Sequence, residues 1–193
     1  MNMFFIIGIR RSGTSILREL MMKHPEIRSI EFEPHPLWFA VDMSHFSRFK
    51  DMPFVKDELM RFKRECSMDK WYGAKFALNP GVKGLEWKWL PKLFPEARFI
   101  FLFRGVEANW KSYKKQDKDS VRGMIPINAY RQMHSQLYES FEEYWINNPE
   151  TSTVLQYERL LNKPDQGTGY AFSVLGLDPL PGMAKFIKQP EFK

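Results

Sequence analysis

Residues 3–20 read MFFIIGIRRSGTSILREL. Met3 to Ile7 is a continuous apolar run, and Gly8 closes it. Such a run suits a central parallel strand covered on both faces. Ile16, Leu17, Leu20 and Met21 then recur at helical spacing, which predicts a helix over 14–23 that His24-Pro25 stops. Between strand and helix stands Gly8-x-x-x-x-Gly13. Glycines at that spacing let the backbone turn tightly and aim successive N–H groups inward, and the helix start adds the positive end of its dipole. The stretch therefore predicts an α/β fold with an anion site, built for phosphate, at the end of its first strand.

The loop departs from a nucleoside-triphosphate loop at one decisive position. After the second glycine a Walker loop continues Lys-Ser/Thr, whereas this chain continues Thr14-Ser15. The cation comes earlier, as Arg11, whose planar and permanently charged fork can bridge a phosphate and a transferring group. No strand ends in the aspartate of a Walker metal site. The loop reads as a nucleotide-phosphate site without a dedicated magnesium.

Composition sets the outer limits. At 193 residues the chain suits a single domain over 1–193, and 44% hydrophobic with 16% aromatic content supplies a substantial core. A net charge of +6 favours an anionic ligand, but no dense basic run or nucleic-acid motif accompanies it, so no nucleic-acid partner is expected. Cys66 is the only cysteine, which rules out an internal disulfide and suits a cytoplasmic location. Met1 to Ile9 is too short, and too soon interrupted by Arg10 and Arg11, for a signal peptide or membrane span. No membrane insertion is expected. The four histidines are scattered and far from the cysteine, so no metal is expected.

Elsewhere the pattern alternates. Arg28–Phe32, Trp71–Phe76, Phe99–Phe103 and Thr153–Tyr157 read as strands. Val82, Leu85, Trp89 and Leu93 mark one helix face, Glu107 to Lys115 reads as a helix, and Ile127 to Tyr144 gives a long amphipathic helix closed by Asn147-Asn148-Pro149. Residues 37–68 read as helical pieces, one opened by Pro53. Ala171 to Leu175 lies in a last helix that Gly176 ends. One parallel sheet with helices on both faces is the expected architecture, of the P-loop nucleotide-hydrolase type.

Arg11-Ser12-Gly13-Thr14-Ser15, in the frame Phe-Ile-Ile-Gly-x-x-Arg-Ser-Gly-Thr-Ser, resembles the 5′-phosphosulfate loop of the sulfotransferases that use 3′-phosphoadenosine 5′-phosphosulfate (PAPS). The longer run from Arg11 to Glu26 is most similar to the branch containing tyrosylprotein and bacterial sulfotransferases. The resemblance implies transfer of a sulfuryl group from PAPS to an acceptor hydroxyl or amine. It implies a 5′ site of Arg10, Arg11, Ser12, Gly13, Thr14 and Ser15. It also implies a 3′-phosphate site from an arginine at a strand end and a serine eight residues on, here Arg104 and Ser112. Val154-Leu155-Gln156-Tyr157-Glu158-x-Leu160 resembles the family's last strand and helix and adds Tyr157 to the nucleotide site. Gly105-Val106 stands where many members carry Asp-Pro. The Arg-Lys-Gly motif of many cytosolic members is absent, and Lys185 and Lys188 read better as solvated lysines than as its replacement.

Sulfuryl transfer requires cations on the developing charge and a base for the acceptor proton. Arg11 is the first cation candidate. Lys75, in Gly73-Ala74-Lys75 at the end of a predicted strand, falls where the family branch carries a catalytic lysine; read alone it is a lysine at a strand end. For the base, the segment EFEPHP offers Glu33 first, Glu31 second and His35 third, and alternation puts both glutamates on one side. His24, His45 and His134 read as ordinary turn or helix-surface residues. The acceptor, whether small molecule, saccharide or peptide, is not legible, nor is oligomeric state. The readings that compete are a P-loop kinase or nucleotidase and a non-catalytic nucleotide-binding protein of the same fold. The start of the chain close to the first strand suits a soluble enzyme or an excised catalytic domain.

Overall fold

The computed structural model describes residues 2–29, 53–66, 69–78, 86–116 and 125–187. The expected sheet is present: among the described residues it has five strands, all parallel, in the order β2-β3-β1-β4-β5. They are β1 (Met3–Ile9), β2 (Ile27–Ser29), β3 (Trp71–Leu78), β4 (Arg98–Phe103) and β5 (Ser152–Gln156). The continuous apolar run places β1 at the centre, where every one of its residues is buried.

Alternation along β1 divides the core into two layers. Met3, Phe5 and Ile7 join Phe99, Phe101, Trp87 and Phe141 on one face. Phe4 and Ile6 join Ile100, Leu102, Leu17, Leu20 and Phe172 on the other. The first layer absorbs much of the aromatic content. Phe101 stacks on Phe141 at 4.5 Å between ring centroids, and Trp87 meets Phe101 edge-on at 4.8 Å. The buried indole donates its Nε1–H to Ser140 Oγ at 3.2 Å.

The helices are α1 (Thr14–Met21), α2 (Pro53–Glu65), α3 (Leu90–Leu93), α4 (Val106–Gln116), α5 (Ile127–Asn147), α6 (Tyr157–Asn162) and α7 (Pro164–Val174). The described part of the helix face predicted from Val82 to Leu93 is a 3₁₀ turn over Glu86–Trp89 followed by α3. Pro91 explains the break, since proline cannot donate into a preceding helical turn and is accepted in a first one. Val82 and Leu85 lie outside the described residues, as do residues 30–32 of the second predicted strand. Tyr157 is not the end of β5 but the first residue of α6. β3 runs on to Leu78, two residues beyond the predicted Phe76, so Lys75 lies inside the strand and not at its end.

Candidate functional site

In an open parallel sheet, ligands bind beyond the carboxyl ends of the strands, where the chain leaves in opposite directions from two neighbours. Here that point lies between β1, whose chain continues toward β2 and β3, and β4, whose chain continues toward β5. Register aligns the parts. Gly8 pairs with Leu102 and Phe103 with Gln156, so the loop after β1, Arg104 and Tyr157 come side by side at one sheet edge.

The loop has the shape of an anion cradle. Arg11 and Gly13 both take left-handed backbone conformations, at φ 73° and 95°. Ser12 N–H closes the turn on Ile9 O at 3.0 Å, and the Ser12 side chain is fully buried. A Cβ on Gly8 would lie 2.4 Å from Ser12 Oγ, which is why no larger residue fits there. Gly13 caps α1 without any side-chain hydrogen bond, and the first turn holds no acidic residue. The first N–H groups of α1 are therefore left without the side-chain partner that most helices provide. Together with the helix dipole, these groups fit a phosphate or sulfate.

The side chains named from sequence converge on this cradle. Arg11 Nε–H donates to Ser112 Oγ at 3.2 Å, linking the loop to α4. Arg104 Nη1–H donates to Arg11 O at 3.3 Å, and its guanidinium lies 4.7 Å from the Tyr157 ring centre. Arg104 Nε is buried with no partner among the described residues. The Tyr157 ring underlies Gly13 so closely that a Cβ there would stand 2.3 Å from Cδ2. Lys75 Nζ donates to Ser15 Oγ at 3.0 Å, reaching across from β3. Thr14 is buried at the loop, and Arg10 is held to the end of β3 through its N–H on Leu78 O at 2.8 Å. Glu31, Glu33 and His35 lie outside the described residues.

Two residues at this edge had no signal in the sequence. His134, read as a helix-surface residue, is half-buried on α5 and hydrogen-bonds Arg104 O at 2.9 Å. Glu158 Oε1 accepts the Gly105 N–H at 2.9 Å. Neither partner pair has a recognisable spacing, because each joins a side chain to a distant backbone group. Asn109 and Tyr130 fix α4 against α5 from within: the Tyr130 hydroxyl donates to Asn109 Oδ1 at 2.6 Å. Burial pushes the Tyr130 hydroxyl above its ordinary range, keeping it a neutral donor. Among the described residues, no group of three or more His, Cys, Asp or Glu is arranged to hold a metal ion. Nor is any described helix long and apolar enough to cross a membrane.

No family model matches the sequence. The chain is 26% identical over 181 residues to protein-tyrosine sulfotransferase 1 of Danio rerio, covering 86% of this chain and 50% of that protein. It is 25% identical over 193 residues to protein-tyrosine sulfotransferase 2 of Gallus gallus, covering 92% and 52%. The chain thus spans about half the length of these relatives. In fold it is similar to the sulfotransferase domain of the Synechococcus PCC 7002 olefin synthase, with a TM-score of 0.63 at 16% identity over 99% of this chain and 82% of that one. It is also similar to mouse sulfotransferase SULT7A1 complexed with PAP, with a TM-score of 0.58 at 18% identity over 96% and 62%.

Proposed function

We propose that this chain, which belongs with the PAPS-dependent sulfotransferases, transfers a sulfuryl group from PAPS to an acceptor hydroxyl or amine. The observation that carries the reading is the contact of Lys75 Nζ with Ser15 Oγ at 3.0 Å. In a Walker loop the serine at this position holds magnesium on its hydroxyl. Here that hydroxyl receives an ammonium, so a fixed cation stands where a kinase would keep its metal. This supports the sulfuryl reading over a P-loop kinase or nucleotidase, whose loop lysine is replaced by Thr14.

The residues divide the work by position. The loop N–H groups from Gly13 to Ser15, with Arg10 and Ser12 flanking, hold the 5′ anion. Arg11 and Lys75 face the charge that develops during transfer, one from the loop and one from β3. Arg104 and Ser112 hold the 3′-phosphate, and the Tyr157 ring backs the Arg104 guanidinium from within the site. PAPS brings the activated sulfuryl group; the chain aligns it, screens its charge and removes the acceptor proton. For that last task we assign Glu33, then Glu31 and His35. The acceptor is a peptide, a saccharide or a small molecule. The hydroxyl of a polypeptide tyrosine is the first to test, because the relatives carry that acceptor in their names. We further propose one domain over 1–193 and, from the lone cysteine, a cytoplasmic location.

Binding tests the assignment most directly. Adenosine 3′,5′-bisphosphate should raise the thermal midpoint, and ATP with magnesium should not. Arg104→Ala should weaken the bisphosphate roughly tenfold to a hundredfold and Ser112→Ala about fivefold, since a charged contact is worth more than a hydroxyl. Binding of 5′-AMP, which lacks the 3′ group, should barely change. Equal losses on both ligands would remove these residues from the 3′ site.

A second test addresses the metal. Transfer from PAPS should persist in EDTA, because Lys75 and Arg11 supply fixed positive charge. Loss of transfer in EDTA with recovery on adding magnesium, or ATP hydrolysis that an Arg11 variant abolishes, would return the protein to the kinase reading.

A further inference from the structure

The turn that follows Arg104 is built unusually. Its next residue is Gly105, the residue type with the greatest backbone freedom, and Val106 already begins α4. Arg104 O and Gly105 N belong to one planar peptide group. Each end of that group is held by a different element. His134 Nε2 on α5 lies 2.9 Å from Arg104 O, and a carbonyl only accepts, so the ring proton sits on Nε2. The Gly105 N–H donates to Glu158 Oε1 on α6 at 2.9 Å. Burial, the largest effect on the His134 ring, lowers its pKa against the opposing pull of the Arg104 carbonyl and the Glu158 charge, which keeps the imidazole neutral at neutral pH.

We propose that His134 and Glu158 are positioning residues that clamp the Arg104–Gly105 peptide group from both ends, and so aim the Arg104 guanidinium into the nucleotide site. The Gly105 carbonyl already accepts the Asn109 N–H at 2.9 Å, so rotation of the Arg104–Gly105 peptide is the soft motion left between Arg104 and α4. The clamp stops it, and with it fixes the distance between Arg104 and Ser112, which sits two turns into α4. The guanidinium then keeps its place against Arg11 O and the Tyr157 ring. Glycine leaves the turn loose, and two side chains from later in the sequence restore its rigidity.

The proposal rests on the reading of Arg104 as a contact of the 3′-phosphate, and the test separates the two. Affinities for adenosine 3′,5′-bisphosphate and 5′-AMP are measured by calorimetry at fixed salt. His134→Ala and Glu158→Ala should each lose roughly tenfold on the bisphosphate, the scale of one misplaced charged contact, with 5′-AMP unchanged. His134→Gln keeps a donor and Glu158→Gln keeps an acceptor, so both should bind like wild type. The double alanine variant should be little worse than either single one, because both act on one peptide group. Gly105→Ala supplies a rescue. Its Cβ would meet only Glu158 Oε1, at 3.4 Å, and it narrows the backbone freedom, so adding it to His134→Ala should recover part of the loss.

If the alanine variants lose both ligands alike, or the glutamine variants fail with them, the clamp is overturned while the site reading stands. If Arg104→Ala itself does not discriminate between the ligands, the site reading fails and the clamp falls with it. Amide exchange in the wild-type chain needs no variant. The Gly105 N–H should be protected although the residue is exposed, and exchange at the free-chain rate would overturn the proposal.

Discussion

Arg11→Ala is expected to lower turnover roughly 100- to 1000-fold, the scale of removing one preorganised donor from developing charge, while the protein stays folded. Arg11 is exposed, and its side chain closes no core contact. It holds the left-handed conformation at φ 73° through the backbone, and alanine there bears the same strain as arginine. Arg11→Gly provides the control. Glycine relieves about 1–2 kcal/mol of that strain and gives back about 0.5–1 kcal/mol as lost chain entropy. The glycine variant should therefore be as stable as the parent or slightly more so, and as inactive as the alanine variant. Arg11→Lys keeps the charge without the fork or the Nε–H on Ser112, and should fall between. Stopped-flow turnover together with thermal midpoints reads all three. Parental turnover in a folded Arg11→Ala protein would sink the role given to this side chain.

The centre of the fold was legible because its residues are determined by burial. A strand covered on both faces must be apolar along its whole length, and β1 and β4 are. The cradle was legible for a related reason: Gly8, where a Cβ would stand 2.4 Å from Leu102 O, and Gly13, at φ 95° against the Tyr157 ring, leave no room for a side chain, and that leaves a fixed spacing. Arg104 and Ser112 carried little signal alone and became readable only beside the loop. What stayed hidden is what depends on tertiary contact. His134 follows the periodicity of an exposed helix position, and only its approach to a carbonyl 30 residues earlier gives it a task. Glu158 stands in the first turn of α6, and only its contact with the Gly105 N–H, 53 residues earlier, gives it a task. Lys75 was read as a lysine at a strand end; its place inside β3, on the same face as its register partner Ile6, is what turns it toward α1 and Ser15. Of the helix face predicted over Val82–Leu93, the described part is a 3₁₀ turn that gives way to a short α-helix at Leu90, beside Pro91, where backbone chemistry overrode a single apolar period.

Gly13→Ala is expected to have the second large effect, and on binding and stability together. The site leaves no room for the added methyl. At φ 95° a Cβ meets the backbone penalty of about 1–2 kcal/mol for the left-handed region. It would also stand 2.3 Å from Tyr157 Cδ2 and 2.5 Å from Cε2, inside any tolerable contact. That ring cannot simply withdraw, since Tyr157 is 5% exposed and begins α6 within the core. Displacing it adds about 1–3 kcal/mol of overpacking. The sum predicts a loss of roughly 2–5 kcal/mol of stability, read by chemical denaturation. Because Tyr157 also carries Arg104 on its face, the shift should reach the 3′ site as well as the 5′ loop. Binding of 5′-AMP and of the bisphosphate should then fall together, unlike the selective loss expected of Arg104→Ala. Trimming the obstacle separates the two causes. In Gly13→Ala/Tyr157→Ala the overlap is gone and only the backbone penalty and the new cavity remain, so the double variant should be less destabilised than the sum of the single ones. Strict additivity would mean that the ring and the loop glycine do not share the space the structure gives them.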